Sequence, residues 1–332
     1  MLDEFTDERD LEPRRRSRTG RKILIGLLVL LLAGVGVVAG FVGYLGGVVQ
    51  TNVTKEENAL PDMGPVDAQG TPVELPEDTG MNILFVGSDA RPGDAGRSDV
   101  MVLAHITEAR DTIYLTHFPR DLYVDLPGRG KDKINAAYAY GGTSLLVETM
   151  QNLLGVKIDH VAKTDFEGFK GMTDAVGGVR VYAEEASDGV VEGWNDLDGE
   201  RALEFVRERY ELSEGDISRG YRQQAFIKAL MLKALSRDTL TNPVTLAKFV
   251  DAATENLTVD EDLDLNEMRK LAFSLTGIRG DDVIFITAPF AGFGTAPDGG
   301  WIELVDEVRM ARLGEAMRTD TMESYDDSRV TP

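Results

Sequence analysis

The stretch of sequence that decides the fold reads NILFVGSDA, residues 82–90. Its apolar part has the length of a buried strand, and it ends abruptly in the polar side chains of Ser88 and Asp89. Two more runs of strand length follow, at residues 100–106 and 112–118. An apolar strand that stops in polar residues is typical of a sheet with a ligand site at its edge.

Helix-like and strand-like segments alternate after these three runs. Helices are indicated from residue 136 and at 143–154, 166–176, 199–206 and 217–235, and strands at 160–164, 179–182 and 283–287. This order predicts an α/β fold with three layers, α/β/α, around a central mixed sheet.

The N-terminal segment predicts a membrane anchor. Residues 23–49 carry no charge, and a helix of that length exceeds the roughly 30 Å thickness of the hydrocarbon layer. Basic residues crowd the end of the segment 1–22, and only Lys55 follows the span closely. The positive-inside rule then predicts a single-pass protein of the cell membrane, with a cytosolic basic head and an extracytoplasmic body.

The rest of the chain divides by composition. Residues 50–80 are rich in proline and acidic residues and predict a linker, residues 81–318 predict one folded domain, and residues 319–332 predict a disordered tail. The glycines of the span, at positions 36, 40, 43 and 47, have a spacing compatible with a weak homodimer through this helix.

The composition excludes several functions. With 57 acidic and 35 basic residues and no cysteine, the chain lacks the positive field of a general nucleic-acid binder and has no thiolate chemistry. The three histidines show no metal-binding spacing, so we assign them to packing.

The predicted strand ends supply the first candidate site residues. Asp89 follows the first strand, and Arg120 and Asp121 follow the third. Asp99 stands at the entrance of the second strand and returns to the same edge if the first two strands form a hairpin. Two carboxylates there would suit Mg²⁺ or Mn²⁺, although aspartates also cap loops.

A cluster of arginines without lysine indicates an anion clamp. Arginine binds phosphate with two parallel hydrogen bonds, and its charge does not titrate. Asp216 resembles a helix N-cap, which predicts that Arg219, Arg222 and Gln223 share one face near a helix start. The cluster consists of Arg201, Arg207, Arg209, Arg219 and Arg222.

Arg207 and Arg209 are two positions apart, so both can reach one ligand only if a helix ends nearby. For either residue alone, salt bridging to neighbouring glutamates is the simpler interpretation. Taken together with the set at the helix start, the two arginines favour the clamp.

Seven motifs in order carry a resemblance to a known family: NILFVGSDAR, GRSDVMVLAHI, FPRDLYVDLPG, DKINAAYAYGG, DAVGGVRVY, LDGERALEFVRERY and GDISRGYRQQ. Over roughly residues 82–236 the chain resembles the LytR-CpsA-Psr family of envelope glycopolymer transferases. Two departures leave the charged positions intact: Val100 replaces a frequent threonine, and His117 with Phe118 replaces a frequent Ser-Ile pair.

The resemblance implies a magnesium-dependent phosphotransferase. Such an enzyme moves a glycopolymer from a polyprenyl-pyrophosphate carrier onto a sugar hydroxyl of peptidoglycan and forms a phosphodiester. It also implies that Asp89 and Asp99 hold the metal and that the lipid tail lies in an apolar channel. The sequence does not distinguish the residues that line this channel from residues of the hydrophobic core. The implied pyrophosphate ligands are Arg97, Arg120, Arg207, Arg209, Arg219, Arg222 and Gln223.

Two other functions use the same residues. A carrier-lipid-binding or regulatory envelope protein would bind the pyrophosphate without turnover, and a pyrophosphate hydrolase would use water in place of the acceptor. In the transferase, Asp121 would orient either the acceptor or Arg120. The sequence leaves the polymer open among teichoic acid, arabinogalactan-like and capsular types.

Overall fold

The computed structural model describes residues 40–66, 71–73, 80–88, 98–213 and 215–325. The chain divides between Gly47 and Val48 into two units, of which the second holds the folded body. Its strands are β1 (Thr54–Glu56), β2 (Met81–Ser88), β3 (Ser98–Ile106), β4 (Ile113–Phe118), β5 (Leu122–Leu126), β6 (Gly130–Lys133), β7 (His160–Thr164), β8 (Val179–Ala183), β9 (Gly193–Leu197), β10 (Thr258–Asp260), β11 (Val283–Thr287), β12 (Phe290–Thr295) and β13 (Trp301–Val305). The helices are α1 (residues 40–52), α2 (Ile134–Leu154), α3 (Phe166–Ala175), α4 (Gly199–Arg207), α5 (Asp216–Ala234), α6 (Arg237–Thr241), α7 (Pro243–Glu255), α8 (Leu265–Ser274) and α9 (Glu307–Arg318).

The central sheet has seven strands in the order β1-β10-β7-β2-β3-β4-β11. It is mixed: β2 is parallel to β7 and β4 is parallel to β11, whereas β3 is antiparallel to both of its neighbours. The predicted hairpin of the first two strands is therefore confirmed. The strand predicted at residues 283–287 is β11, at one edge of this sheet.

Helices cover both faces of this sheet because apolar residues alternate along its strands. Leu84 and Val86 of β2 belong to one apolar cluster with α2 and α9. Ile83, which points to the opposite face, belongs to another cluster with α5 and α8. The layered α/β/α arrangement with a central mixed sheet is confirmed.

Two smaller sheets were not predicted. One has four strands in the order β12-β13-β5-β6, and the other is the antiparallel hairpin β8-β9. Their strands are short and alternate buried with exposed residues, as in β5, so their apolar signal is weak. Their strands pair with partners that are distant in sequence, as when Leu122 of β5 pairs with Glu303 of β13.

Two glycine turns fix local geometry. α2 breaks at Gly141 and Gly142, and Gly142 has φ 66° and ψ −154°, a region that residues with a Cβ avoid. Gly177 and Gly178 form the predicted turn between α3 and β8, with φ of 80° and 86°. The N-cap of α5 is Gly215, so the expectation that Asp216 caps this helix is off by one residue.

Parts of the predicted linker and tail belong to the folded body. β1 pairs with β10, and Ala59 is 2% exposed. At the other end, Met322 is also 2% exposed, and His105 Nε2 lies 3.1 Å from Asp320 Oδ1. These segments are polar and lack apolar periodicity, so the sequence predicted them as a linker and a tail. Backbone pairing and single buried side chains attach them to the folded body.

Most of the predicted anchor, up to residue 39, lies outside the described residues. Within the described part of the chain, no helix combines the length and the apolar character that crossing a membrane requires.

Candidate active site

Four strands end at one edge of the central sheet. β2, β4, β7 and β11 all run in the same direction, because β3 is antiparallel to both β2 and β4. The segments after these strands therefore meet, and they include Arg120 and Asp121 after β4. This is the edge at which the sequence predicted a ligand site.

Asp121 holds Arg120 in place. Asp121 Oδ2 lies 3.4 Å from Arg120 Nε, and Asp121 Oδ1 accepts a hydrogen bond of 2.7 Å from Lys133 Nζ. The Asp121 side chain is 14% exposed, so this pairing is largely shielded from water. The backbone N–H of Asn135, in the first turn of α2, donates to the Arg120 carbonyl at 3.2 Å. Lys133 and Arg120 thus share one carboxylate, Lys133 through a hydrogen bond and Arg120 through an ion pair.

The loop after α4 is ordered around one carboxylate. Glu208 Oε1 accepts hydrogen bonds from the backbone N–H groups of Arg209 (2.7 Å), Tyr210 (2.6 Å) and Glu211 (3.1 Å). These donors, that of Glu211 foremost, lower the pKa of Glu208 against the opposing effect of burial. α4 ends at Arg207, so a helix does end nearby, as the joint action of Arg207 and Arg209 on one ligand requires.

A large apolar cavity of about 390 Å³ opens beside Arg207. α5 lines it along one face with residues at helical spacing, and Arg219 and Gln223 stand on this face ahead of the apolar positions. β2, β3, α3 and α7 supply the opposing walls. Apolar lining residues include Val102, Phe169, Phe226, Ile227, Leu230 and Phe249.

A smaller pocket of about 40 Å³ joins this cavity to Arg120. Arg219 and Gln223 line both spaces, and Arg120 and Asp121 line the smaller one, which we call the Arg120 pocket. The structure thus brings Arg120, Arg207, Arg219 and Gln223 together. A cationic and amide-lined mouth on an apolar cavity suits an anionic head group that carries a long apolar tail.

Arg222 is separated from this set. The residue is 5% exposed. Its guanidinium donates to Ser187 Oγ (2.9 Å) and the Glu185 carbonyl (2.8 Å) and lies 4.7 Å from the Phe205 ring centroid. Positions 219 and 222 are neighbours on the surface of α5, because residues three apart in a helix differ by about 60°. The Arg222 side chain nevertheless reaches away from the cavity, towards the segment after β8.

Arg209 lies in the loop just after Arg207 and contacts its neighbour in sequence. Its guanidinium carbon lies 4.6 Å from the Tyr210 ring centroid, and Nη2 donates to Tyr210 Oη at 2.6 Å. Arg209 is not among the residues that line the apolar cavity or the Arg120 pocket.

The predicted metal ligands fall partly outside the described residues. Asp89 and Arg97 lie there, and of Asp99 only the backbone is described. That backbone is informative: Gly87 pairs with Val100 and Ser88 with Ser98, so Asp99 is the extra residue of a β-bulge. Among the side chains that the structure describes, no group of three or more His, Cys, Asp or Glu could hold a metal ion.

Sequence reasoning missed a polar chain behind Arg120. Thr287 Oγ1 donates to Gln224 Oε1 (3.1 Å), and Gln224 Nε2 donates to His117 Nδ1 (3.1 Å). All three residues line the Arg120 pocket. Burial lowers the pKa of His117 to about 4, so the ring is neutral and accepts at Nδ1. The signal available in the sequence was the unusual His117, two residues before the Pro-Arg-Asp motif.

The fold and the site define an α/β protein with arginine and glutamine side chains at the mouth of an apolar cavity. The chain belongs to the LytR_cpsA_psr family, whose model matches residues 44–319.

Named relatives share most of the chain. The polyisoprenyl-teichoic acid–peptidoglycan teichoic acid transferase TagU of Oceanobacillus iheyensis is 33% identical over 302 residues, which cover 88% of this chain and 90% of that protein. The probable cell wall biosynthesis protein LcpB of Corynebacterium glutamicum is 34% identical over 260 residues, which cover 72% of this chain and 61% of that protein.

Solved structures show the same fold. The crystal structure of TagV from B. subtilis superposes with a TM-score of 0.60 at 27% identity and covers 74% of this chain and 99% of that one. A structure of TagT bound to LI-WTA gives a TM-score of 0.57 at 28% identity, covering 73% and 90%.

Proposed function

We propose that this protein transfers an envelope glycopolymer from a polyprenyl-pyrophosphate carrier to a sugar hydroxyl of peptidoglycan. One observation carries the proposal: the apolar cavity of about 390 Å³ has Arg207, Arg219 and Gln223 at its mouth and continues into the Arg120 pocket. An apolar tail in the cavity would place its two phosphates among these side chains. Relatives that are named teichoic acid transferases support the same reaction.

The reaction is a displacement at phosphorus. The acceptor oxygen forms a bond to the phosphorus that carries the polymer, and the bond from that phosphorus to the bridging oxygen breaks. The polyprenyl phosphate leaves with the electron pair, and the hydroxyl proton is released to water. Such a transfer needs alignment and neutralisation of charge on the reacting oxygens, which the arginine side chains supply.

Within this reaction we assign Asp121 the task of orienting Arg120. Its carboxylate is already paired with Arg120 and Lys133. A held Arg120 loses less conformational freedom when it binds phosphate. Arg222, fixed against Ser187 and Glu185, contributes to the shape of α5 and its surroundings.

We further propose that Asp89 and Asp99 hold Mg²⁺ or Mn²⁺. The donor set suits such an ion, because both are carboxylates and the Ser88–Ser98 pairing brings the two chain segments together at the site edge. The bound ion would neutralise charge on phosphate oxygens. Asp99→Asn should weaken Mn²⁺ binding, measured by electron paramagnetic resonance, whereas the exposed Asp298→Asn should leave it unchanged.

The transfer reaction itself is tested with the full-length protein in detergent. The protein is incubated with a polyprenyl-pyrophosphate-linked glycan, a peptidoglycan acceptor and Mg²⁺, and the products are searched for a new phosphodiester. Tight donor binding without any product would instead identify a carrier-binding protein. Release of polymer phosphate in the absence of acceptor would identify a pyrophosphate hydrolase.

We also propose that residues 23–49 anchor the protein in the cell membrane with its body outside. The uncharged span and the basic residues before it support this placement. Protease added to intact cells should digest the body and leave the N-terminal head protected. Protection of the body would contradict the orientation.

A further inference from the structure

A second sizeable cleft lies on the other side of α5. It has a volume of about 310 Å³, and we call it the side cleft. It shares Tyr221, Gln224 and Thr287 with the Arg120 pocket and no lining residue with the apolar cavity. The three spaces therefore follow one another, with the Arg120 pocket between the apolar cavity and the side cleft.

This order matters for a displacement at phosphorus, because the attacking oxygen enters opposite the leaving group. With a lipid tail in the apolar cavity, the leaving lipid phosphate departs on that side of the Arg120 pocket. The attacking hydroxyl then arrives from the opposite side. The side cleft opens on that opposite side.

The charges of the side cleft are balanced and mostly committed to protein partners. Glu185 accepts hydrogen bonds from Ser218 Oγ (2.7 Å) and from the backbone N–H of Ser213 (2.7 Å). Arg222 donates hydrogen bonds to Ser187 Oγ and to the Glu185 carbonyl. Glu184 and Lys228, one of each sign, are exposed. A polyanion gains nothing from such a lining, whereas a neutral ligand rich in hydroxyl and amide groups finds donors and acceptors.

An exposed aromatic pair extends the cleft along the β8-β9 hairpin. Tyr182, which lines the cleft, is 49% exposed and lies opposite Trp194, which is 59% exposed. The ring centroids are 5.4 Å apart at 79°, an edge-to-face contact. Rings held in this way present apolar surface to water at a position that core packing does not explain.

The neighbours of this pair favour a saccharide over a membrane surface. Arg180 and Asp196 stand next to the two rings on the same face, with side chains 66% and 87% exposed, and the Arg180 guanidinium carbon lies 5.3 Å from the Trp194 ring centroid. Charged groups of both signs beside exposed rings suit a sugar, whose C–H face packs on the rings and whose hydroxyls reach the charges.

We propose that the side cleft and the Tyr182–Trp194 pair bind the acceptor glycan, a neutral chain of N-acetylated amino sugars, and direct its hydroxyl into the Arg120 pocket. The identity of the acceptor rests on the proposed function. The cleft supplies the polar contacts, and the aromatic pair holds a sugar farther along the chain.

The two tryptophans of the chain, Trp194 and Trp301, allow a direct test. Trp301→Phe leaves Trp194 as the fluorescent reporter, and Trp194→Phe leaves Trp301. Trp301 is the matched control, because it is 52% exposed and lies on the other exposed aromatic pair, 4.7 Å from Phe293. Each full-length variant in detergent is titrated with a soluble, uncrosslinked peptidoglycan glycan oligosaccharide.

We expect a saturable fluorescence change from Trp194 and none from Trp301. Tyr182→Ala in the Trp301→Phe background should weaken binding about tenfold, as expected for the loss of one aromatic contact. In the transfer assay the same substitution should raise the KM for acceptor and leave the KM for the lipid-linked donor unchanged.

Three results would overturn the proposal. They are a response from Trp301 alone, equal responses from both tryptophans, or binding of poly(glycerol phosphate) at Trp194 without binding of the oligosaccharide. Binding is measured without turnover, so the test of the acceptor site is independent of the test of the proposed transfer function. Transfer activity with a silent Trp194 would refute the acceptor site alone, and a responsive Trp194 in a protein without transfer activity would refute the proposed function alone.

Discussion

At the scale of single residues, the candidate site gathers arginines that the fold places there before any ligand arrives. Arg120 is held by Asp121, and Arg207 stands at the end of α4 next to a loop that Glu208 orders. A positioned cation costs little reorganisation when charge develops on a phosphate oxygen. Arginine therefore outperforms lysine here for geometric reasons as well as for its permanent charge.

Removal of one clamp arginine should abolish most of the activity. Arg120→Ala or Arg219→Ala is expected to reduce kcat/KM for transfer by about 100- to 1000-fold, the usual cost of one preorganised electrostatic contact. Arg269→Ala is the control, because Arg269 is exposed on α8 and lines neither the Arg120 pocket nor the apolar cavity. Full activity of both clamp variants, with unchanged circular dichroism, would contradict the assignment.

The neutral His117 should make stability depend on pH. The ordinary histidine pKa is 6.5, and burial lowers that of His117 to about 4. Between pH 6.5 and 4 the unfolded chain therefore binds a proton at His117 that the folded protein does not bind. The stability that the neutral ring contributes is complete above pH 6.5 and is lost as the pH falls towards 4. The difference amounts to about 3 kcal/mol at most.

Urea denaturation at a series of pH values measures this effect. His117→Asn should show a smaller fall in the free energy of unfolding between pH 6.5 and 4 than the unsubstituted protein. An equal fall in both proteins would show that His117 takes up its proton in the folded state.

Sequence reasoning found the residues that follow strand ends and missed those that tertiary packing brings to the site. Arg120 and Asp121 were predictable because the sheet rule needs only the end of a strand. Arg222 was misplaced because the partners that its side chain reaches cannot be read from spacing. The lining of the apolar cavity, such as Phe226, has the same composition as core and carries no distinguishing signal.

At the scale of elements, α5 separates the lipid-sized cavity from the side cleft. One face carries Arg219 and Gln223 ahead of apolar residues, and another carries Tyr221 and Lys228. Its apolar positions have the spacing of an ordinary amphipathic helix. Two distinct spaces along one helix became visible only with the fold.

A bulky residue in the apolar cavity should affect only donors with long tails. Ala253 of α7 lines the cavity, and Ala253→Phe should weaken binding of a long-chain polyprenyl pyrophosphate by tenfold or more, by removing volume that the tail needs. Binding of inorganic pyrophosphate should be unchanged. Val244→Phe is the control, because Val244 is on the same helix and 62% exposed. Equal binding of the long-chain lipid by both variants would show that the tail lies elsewhere.

The docking of α9 on α2 should be sensitive to a single methyl group. A Cβ at Gly314 would lie 1.8 Å from the Leu154 carbonyl oxygen, so the helices must separate to accommodate it. Gly314→Ala should lower the free energy of unfolding by about 1–3 kcal/mol, the usual cost of overpacking. Thermal unfolding measures this loss. Gly277→Ala is the control: a Cβ there meets nothing within 4 Å, so this substitution should leave the free energy of unfolding nearly unchanged.

The elements that the sequence predicted best carry an apolar run or a helical periodicity. β7 and β11 were predicted to the residue, and α4 and α5 to within one residue at either end. The short strands β5, β6, β9, β12 and β13 were missed, because a half-exposed strand of few residues resembles a loop until its partner is known.

At the scale of the whole molecule, a strongly acidic protein concentrates its functional cations at one sheet edge. The formal net charge is −22, yet Arg120, Arg207 and Arg219 converge on two adjoining spaces. The surrounding acidic surface repels other polyanions, so a pyrophosphate with an apolar tail gains selectivity from the cavity rather than from the overall field.

The C-terminal segment should matter to the stability of the whole body. Met322 is 2% exposed and belongs to the main apolar cluster, so Met322→Ala should cost about 2–5 kcal/mol of unfolding free energy. Met63→Ala removes the same atoms from a side chain that is 70% exposed, and we expect less than about 0.5 kcal/mol. Chemical denaturation of both variants gives the comparison, and similar losses would show that the segment is not part of the core.

Because α5 contributes to the walls of all three spaces, a lipid tail and an acceptor at the proposed sites would contact the same helix. A tail seated against Phe226 would restrain the helix that presents Tyr221 to the side cleft. The first ligand would then meet part of the entropy cost of ordering that helix, and the second would bind more tightly than it would alone. The protein would in this way favour the state with both substrates bound over the states with only one, and hydrolysis of the carrier pyrophosphate without acceptor would be limited.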